Sequence, residues 1–177
     1  MHGARNVFLV GMMGAGKTTV GRLLARRLKR AFFDSDHEVE RRCGVKIAVI
    51  FDIEGEAGFR ARESAVLAEL AAQQDVVLAT GGGAVLAEAN RRLLAAGGSV
   101  VYLHAPPAAL YERVRQDRNR PLLATPDPLA RMRELYSMRD PLYREVADIV
   151  VDTGRQSVQD LAREVLGRLR QTWKLSA

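Results

Sequence analysis

Apolar residues come along this chain in short continuous blocks, not in strict alternation. Blocks at 7–10, 31–33, 76–79, 100–103 and 149–151 have the length and residue content of strands. Between them the apolar positions recur every three or four residues. That period predicts helices over 18–30, 60–72, 87–96, 107–115, 129–138 and 157–173. The last carries Val158, Leu161, Val165, Leu169 and Trp173 on one stripe. Segment 44–62 has no clean period, and the helix from 129 is expected to break at Pro141. Strands apolar on both faces, alternating with helices, predict an α/β fold: a parallel sheet covered on each side. In such sheets ligands sit beyond the carboxyl ends of the strands, so the residues after each block are the ones to read.

The first block runs straight into Gly11-Met12-Met13-Gly14-Ala15-Gly16-Lys17-Thr18-Thr19, the full P-loop spacing between a strand and a helix. Gly11, Gly14 and Gly16 let the backbone turn tightly and bring N–H groups against phosphate oxygens. The helix N-terminus adds partial positive charge at that point. Lys17 reaches the outer phosphates, and the Thr18 hydroxyl suits a magnesium ion. The motif implies a bound nucleoside triphosphate.

The second block ends in Asp34-Ser35-Asp36. In extended chain the two carboxylates share a side. They either serve a metal and a substrate, or Ser35 or Asp36 caps a helix around 38–42. The third block ends without an acid, which leaves Asp34 and Asp36 as the candidates for holding magnesium. It runs instead into Gly81-Gly82-Gly83, either a plain turn or a backbone left bare for a small ligand. Arg60 either pairs with Glu56 across a helical turn or grips a carboxylate in the cleft. Segment 113–128 holds four arginines followed by three prolines, Pro121, Pro126 and Pro128. It reads as a solvated loop or as a lid whose arginine closes over phosphate, and the P-loop favours the lid. Arg139, beside Pro141, faces either a ligand or solvent.

Length and composition narrow the class. A chain of 177 residues, 47% apolar and 27% charged, makes one soluble domain with a real core. The net charge of +6 suits polyanionic ligands. Its arginines are scattered and aromatics are only 6%, which argues against a nucleic-acid platform. The single cysteine, Cys43, allows no internal disulfide and fits a reducing compartment. The first strand is reached without an apolar leader, and no run approaches membrane-spanning length, so a cytoplasmic protein is expected. His2, His37 and His104 have no metal-ligand spacing and read as incidental.

Taken together, Gly-Met-Met-Gly-Ala-Gly-Lys-Thr, Asp34-Ser35-Asp36, Gly55-Glu56 with Phe59-Arg60, Gly81-Gly82-Gly83, Arg120-Pro121-Leu122-Leu123 and Arg139-Asp140-Pro141-Leu142-Tyr143 resemble the shikimate kinases along nearly the whole chain. The resemblance implies a five-stranded parallel sheet with the nucleoside monophosphate kinase fold, a substrate-binding segment near 34–62 and a lid near 113–126. It implies transfer of the ATP γ-phosphate to the 3-hydroxyl of shikimate, in aromatic amino acid synthesis, by a monomer. By position, Gly14, Ala15, Gly16, Lys17, Thr18 and Thr19 would hold the phosphates of ATP, with Thr18 and Asp34 on Mg2+. Asp36 would bind shikimate hydroxyls and act as base or orienter. Arg60 and Arg139 would clamp the carboxylate beside the Gly82 backbone. Arg120 would reach the γ-phosphate, and Arg113 with the Arg155-Gln156 pair would lie near the adenine. Val49 and Gly58 depart from the family pattern, in positions with no implied catalytic role. The rivals are other small-molecule P-loop kinases. A gluconate kinase is expected to carry a histidine motif after the second strand, and a nucleoside monophosphate kinase to need a base pocket that Gly-Gly-Gly does not offer.

Overall fold

The computed structural model describes residues 6–154 and 156–175. The five apolar blocks become strands β1 (Asn6–Val10), β2 (Ala31–Asp34), β3 (Val76–Ala79), β4 (Gly98–His104) and β5 (Ile149–Asp152). All pair in parallel, in the order β2-β3-β1-β4-β5. The central strand β1 is buried at every residue, whereas β2 at the sheet edge is partly exposed throughout. That gradient is why the continuous apolar pattern is cleanest in the middle of the sheet.

Helices α1 (Lys17–Leu28), α2 (Ser35–Cys43), α3 (Ile47–Ala71), α4 (Glu88–Gly97), α5 (Pro107–Val114), α6 (Pro128–Val146) and α7 (Val158–Leu175) cover the sheet. Helix α1 packs on β2 and β3 with α7 against it, while α3, α4 and α6 pack on one another and on the strands. On α7, Leu161, Val165 and Leu169 are buried as the stripe requires, while Val158 is 41% exposed. Trp173 instead anchors the helix end, its indole N–H donating to Ser99 Oγ at 2.9 Å. Among the described residues, no helix is long and apolar enough to cross a membrane.

Two helices differ from the sequence expectation. Segment 44–62 is helical from Ile47, and one helix runs to Ala71 with a kink at Gly55, whose φ of 71° only glycine adopts without strain. The kink resets the phase of the apolar face, which hides the period. Helix α6 does not end before Pro141 but continues to Val146. Pro141 lies on the exposed side, where water can satisfy the carbonyl its ring leaves unpaired. The two family departures are also accounted for. Val49 is on the outer face of α3, 37% exposed. Gly58 leaves room for the Glu54 side chain, which pairs with Arg62 at 2.7 and 2.9 Å across the kink.

The connections leave β1 and β3 toward opposite sides of the sheet. Helix α1 carries the chain from β1 toward the β2 edge, whereas β3 is followed by a crossover back to β4 on the other side of β1. The crevice beyond the ends of β1 and β3 is therefore where the fold leaves room for a ligand.

Candidate active site

The loop after β1 turns through Gly14 (φ 81°) and Gly16 (φ 93°), left-handed conformations that side chains resist. Gly16 is also the N-cap of α1, so the loop delivers its amides and the helix N-terminus to one place. The loop lines a cavity of about 640 Å3 together with Asp34, Asp36, Arg113 and Arg120. Lys17 folds back along the loop, its Nζ donating to the Gly11 and Met12 carbonyls at 2.7 and 2.8 Å. Burial pulls its pKa down to about 8; Asp36 opposes this and Arg120 adds to it. A half-buried ammonium whose hydrogen bonds go to carbonyls is suited to an incoming polyanion.

Asp34 and Asp36 both reach this cavity, but not as extended chain would place them. Strand β2 stops at Asp34, and Asp36 lies in the first turn of α2. The helix cap is Asp34, not Ser35 or Asp36: its Oδ1 accepts from the His37 amide at 3.1 Å. Its other oxygen accepts from the Thr18 hydroxyl, which brings the two expected metal residues into contact. Ser35 is fully buried and accepts from the Gly81 amide at 2.8 Å, tying the end of β2 to the triple glycine.

Gly83 has a φ of −93°, and neither Gly81 nor Gly82 is left-handed, so space and not conformational freedom requires the three glycines. A Cβ on Gly81 would stand 2.5 Å from both Asp36 Oδ1 and Glu63 Oε2. One on Gly82 would meet Arg139 Nη1 at 3.3 Å, and one on Gly83 would run into the Arg60 guanidinium. The bare backbone lets four charged side chains converge on one turn. The Gly82 carbonyl faces in and accepts from the Tyr143 hydroxyl.

These residues form a second pocket, next to the first, which shares Asp36, Gly82 and Arg120 with it. Arg60 does what both sequence readings allowed: it lines the pocket, and it pairs with Glu56 at 3.4 Å. Its stronger partner is Glu63, at 2.8 Å. Arg139 is 2% exposed, lines the same pocket, and has a buried Nε with no hydrogen-bond partner. Burial lowers its pKa, the sign of a cation held with too little compensation. Burial likewise pushes the Asp36 carboxyl up to about 6, with Glu63 and Asp34 reinforcing the shift and Lys17 and Arg120 opposing it.

Arg120 stands at the junction of the two pockets, just before a short 3-10 turn at Pro121–Leu123, its Nε donating to Asp117 Oδ2 at 2.9 Å. The turn is not wholly solvated: Leu123 is buried. Arg113 belongs to α5, and its guanidinium donates to the Gly14 carbonyl at 3.0 Å and to Thr153 at 3.2 Å. With Ala15, Thr19, Gly154 and Gln156 it lines a further cavity of about 320 Å3 beside the phosphate loop. Gln156 accepts there from the Gly154 amide at 3.3 Å. Arg155 lies outside the described residues, as does His2.

Sequence reading missed Glu63, though its signal is visible. It is 1% exposed and sits among Phe59, Val66, Leu67 and Leu70, a carboxylate on the apolar face of a helix. His104 is not incidental either: its ring bonds Asp152 and Tyr136, each at 2.7 Å, joining the ends of β4 and β5 to α6.

Similarity to known proteins agrees with this geometry. The family model described as shikimate kinase matches residues 13–170. A shikimate kinase of Thiobacillus denitrificans is 63% identical over 93% of this chain and 90% of its own length. One of Cupriavidus pinatubonensis is 60% identical over 94% of this chain and 87% of its own. Among solved structures, the shikimate kinase of Acinetobacter baumannii in complex with shikimate superposes with a TM-score of 0.93 at 49% identity, covering 95% of this chain and 94% of that one. A gluconokinase of Sinorhizobium meliloti reaches a TM-score of 0.64 at 19% identity, over 97% of this chain and 94% of its own, a likeness of fold alone. A P-loop, a paired-arginine pocket beside it and relatives of this identity over nearly the full length lead to one conclusion: the chain belongs to the shikimate kinase family.

Proposed function

We propose that this chain transfers the γ-phosphate of ATP to the 3-hydroxyl of shikimate, the kinase step of the chorismate route to aromatic amino acids. The observation that carries the reading is the pocket in which Arg60 and Arg139 stand with Asp36 against the phosphate cavity. Two guanidiniums at one end and a carboxylate at the other fit a small acid bearing hydroxyls. That chemistry alone would also suit gluconate, which the family relationship sets aside together with nucleoside monophosphates.

In this reading, the amides of Gly14–Thr19 and the Lys17 ammonium bind the phosphates, and Arg113 and Gln156 flank the nucleotide on its outer side. Arg60 and Arg139 hold the substrate carboxylate, with the Gly82 backbone beside it. That leaves the hydroxyl near Asp36. Its oxygen bonds to the γ-phosphorus while the bond to the β-phosphate oxygen breaks; ADP leaves, and the hydroxyl proton passes to Asp36. A pKa near 6 suits that task, because the group is ionised at neutral pH yet basic enough to take a proton. Arg120 neutralises charge on the phosphoryl group in transit. The Thr18 hydroxyl and the Asp34 carboxylate are hard oxygen donors already in contact, and fit Mg2+. The ion would supply charge neutralisation and orientation of the phosphates. A monomeric, cytoplasmic enzyme accords with the family resemblance.

A coupled ADP-release assay with shikimate, gluconate and nucleoside monophosphates in parallel tests the proposal. Turnover is expected with shikimate alone. Its absence there, or equal rates across the acceptors, would sink it.

A further inference from the structure

Helix α3 begins without a cap of its own. The side chain of its N-cap residue, Lys46, makes no capping bond, although the first N–H groups of any helix need outside partners. Two side chains from elsewhere meet that need. Glu40, on α2, accepts from the Ile47 amide at 3.0 Å. Asn119, the residue before the lid arginine, accepts from the Ala48 amide through Oδ1 at 3.3 Å. The Asn119 Nδ2 group then donates to Glu40 Oε2 at 3.2 Å, so the two caps are bonded to each other. On the lid side, the Asn119 backbone N–H donates to Asp117 Oδ1 at 2.9 Å, and Asp117 Oδ2 holds Arg120.

The chemistry fixes which way the Asn119 amide points. A backbone N–H demands an acceptor and a carboxylate demands a donor, and asparagine offers one of each. Helix α3 carries Phe51, Phe59, Arg60 and Glu63 of the acceptor pocket. Arg120, one residue along from Asn119, lines the phosphate cavity. A single side chain therefore joins the segment that holds the acceptor to the segment that brings the arginine.

We propose that Asn119 is a positioning residue, a latch between the lid and α3 that couples closure over the phosphates to the order of the acceptor pocket. The latch rests on the kinase reading given above for its effect on turnover, but its bond to α3 does not. Lid docking satisfies an open amide of α3, so each event lowers the cost of the other. Asn119 lines both cavities at their junction, but its side-chain bonds run to Ala48 and Glu40, so its loss is felt through Arg120 and the α3 side chains.

The test is a set of variants read in two ways. In Asn119→Ala, kcat/KM for shikimate is expected to fall roughly tenfold, the loss of about two partly exposed hydrogen bonds. ATP affinity without shikimate stays within about twofold, since the P-loop is untouched. Asn119→Asp keeps the acceptor for Ala48 but sets a carboxylate against Glu40, and is expected to be worse than alanine. Adding Glu40→Gln to Asn119→Asp supplies a donor and restores activity to within roughly threefold of the parent. A purely structural role would lower the melting temperature of both aspartate variants alike, without rescue. The second readout needs no substrate: amide hydrogen exchange over 47–54 in the free protein is expected to speed up roughly tenfold in Asn119→Ala. Unchanged exchange there, or a double variant no better than Asn119→Asp, overturns the latch. Failure of the parent enzyme to use shikimate would instead count against the kinase reading, with the exchange result still deciding the latch.

Discussion

Glu63→Gln separates the charge of Glu63 from its hydrogen bonding, because glutamine still offers Arg60 Nη1 an acceptor in place of the 2.8 Å contact. What disappears is a negative charge near Asp36. Glu63 Oε2 and Asp36 Oδ1 each lie 2.5 Å from the point where a Gly81 Cβ would stand, so they are at most about 5 Å apart. At that separation and an effective dielectric of about 20, two carboxylates repel by about 3 kcal/mol, or about two pKa units. The Arg60 guanidinium offsets part of the Glu63 charge, and burial raises the pKa of Glu63 itself, leaving about one unit. The sign follows from the role proposed for Asp36. It must be ionised to accept a proton, so kcat/KM falls as pH drops through its pKa of about 6. Without the Glu63 charge that acid limb moves down by about a unit, and the variant outlasts the parent at low pH. The assay is ADP release with shikimate varied, from about pH 5 to pH 8. An acid limb that stays in place, or moves toward neutrality, refutes the coupling between the two carboxylates.

Gly83→Ala puts a Cβ against the Arg60 guanidinium and is expected to raise the KM for shikimate roughly tenfold or more while the KM for ATP holds; equal changes in both would contradict the pocket assignment. Arg139→Ala removes a cation that burial already disfavours, so shikimate KM should rise roughly a hundredfold with no fall in melting temperature, measured by calorimetry. The wild-type affinity for ATP should decline as pH rises through about 8, when free Lys17 loses its proton; titration calorimetry showing flat affinity up to about pH 10 would refute a charged-lysine role. Asp36→Asn should cut kcat roughly a hundredfold or more yet raise the melting temperature of the free protein at neutral pH, since its folded-state pKa is raised and ionisation above about 6 opposes folding. A lower melting temperature would contradict that sign.

The sheet and the phosphate loop were legible because short-range chemistry dictates them. β1 to β5 are apolar runs, and Gly14 and Gly16 have torsion angles that only their sequence spacing needs to announce. The acceptor pocket was legible only in part. Arg60 and Arg139 stood out as arginines near helix irregularities, but the burial of Arg139 and the half-burial of Arg60 are tertiary facts that no local pattern carries. Asp36 was found by an argument about extended chain that does not hold, since α2 begins one residue before it. The first part of α3 escaped because a kink at Gly55 separates it from the helix expected over 60–72, and Asn119 because its partners lie 71 and 79 residues away in sequence.

Those gaps share a cause in the pocket itself. Fold specification rewards apolar continuity, whereas this pocket is built against it, from Glu63 on an apolar helix face and a nearly buried Arg139 with an unpartnered nitrogen. Each of these costs stability in the free protein, because a charge out of water needs partners it does not fully have. An acid with hydroxyls would bring the missing partners, anion to Arg60 and Arg139 and donor to Asp36. The binding energy then includes what the free pocket lacks, and an acceptor without the carboxylate would leave the buried Arg139 guanidinium short of an anion. Discrimination of this kind exceeds what shape alone gives, since a site that must bond a polar group rejects analogues lacking it by roughly four orders of magnitude or more. The decarboxylated analogue of shikimate should therefore be a poor substrate by kcat as well as KM, with ATP binding unaffected. If it is turned over at a rate near that of shikimate, the two arginines do not serve the carboxylate.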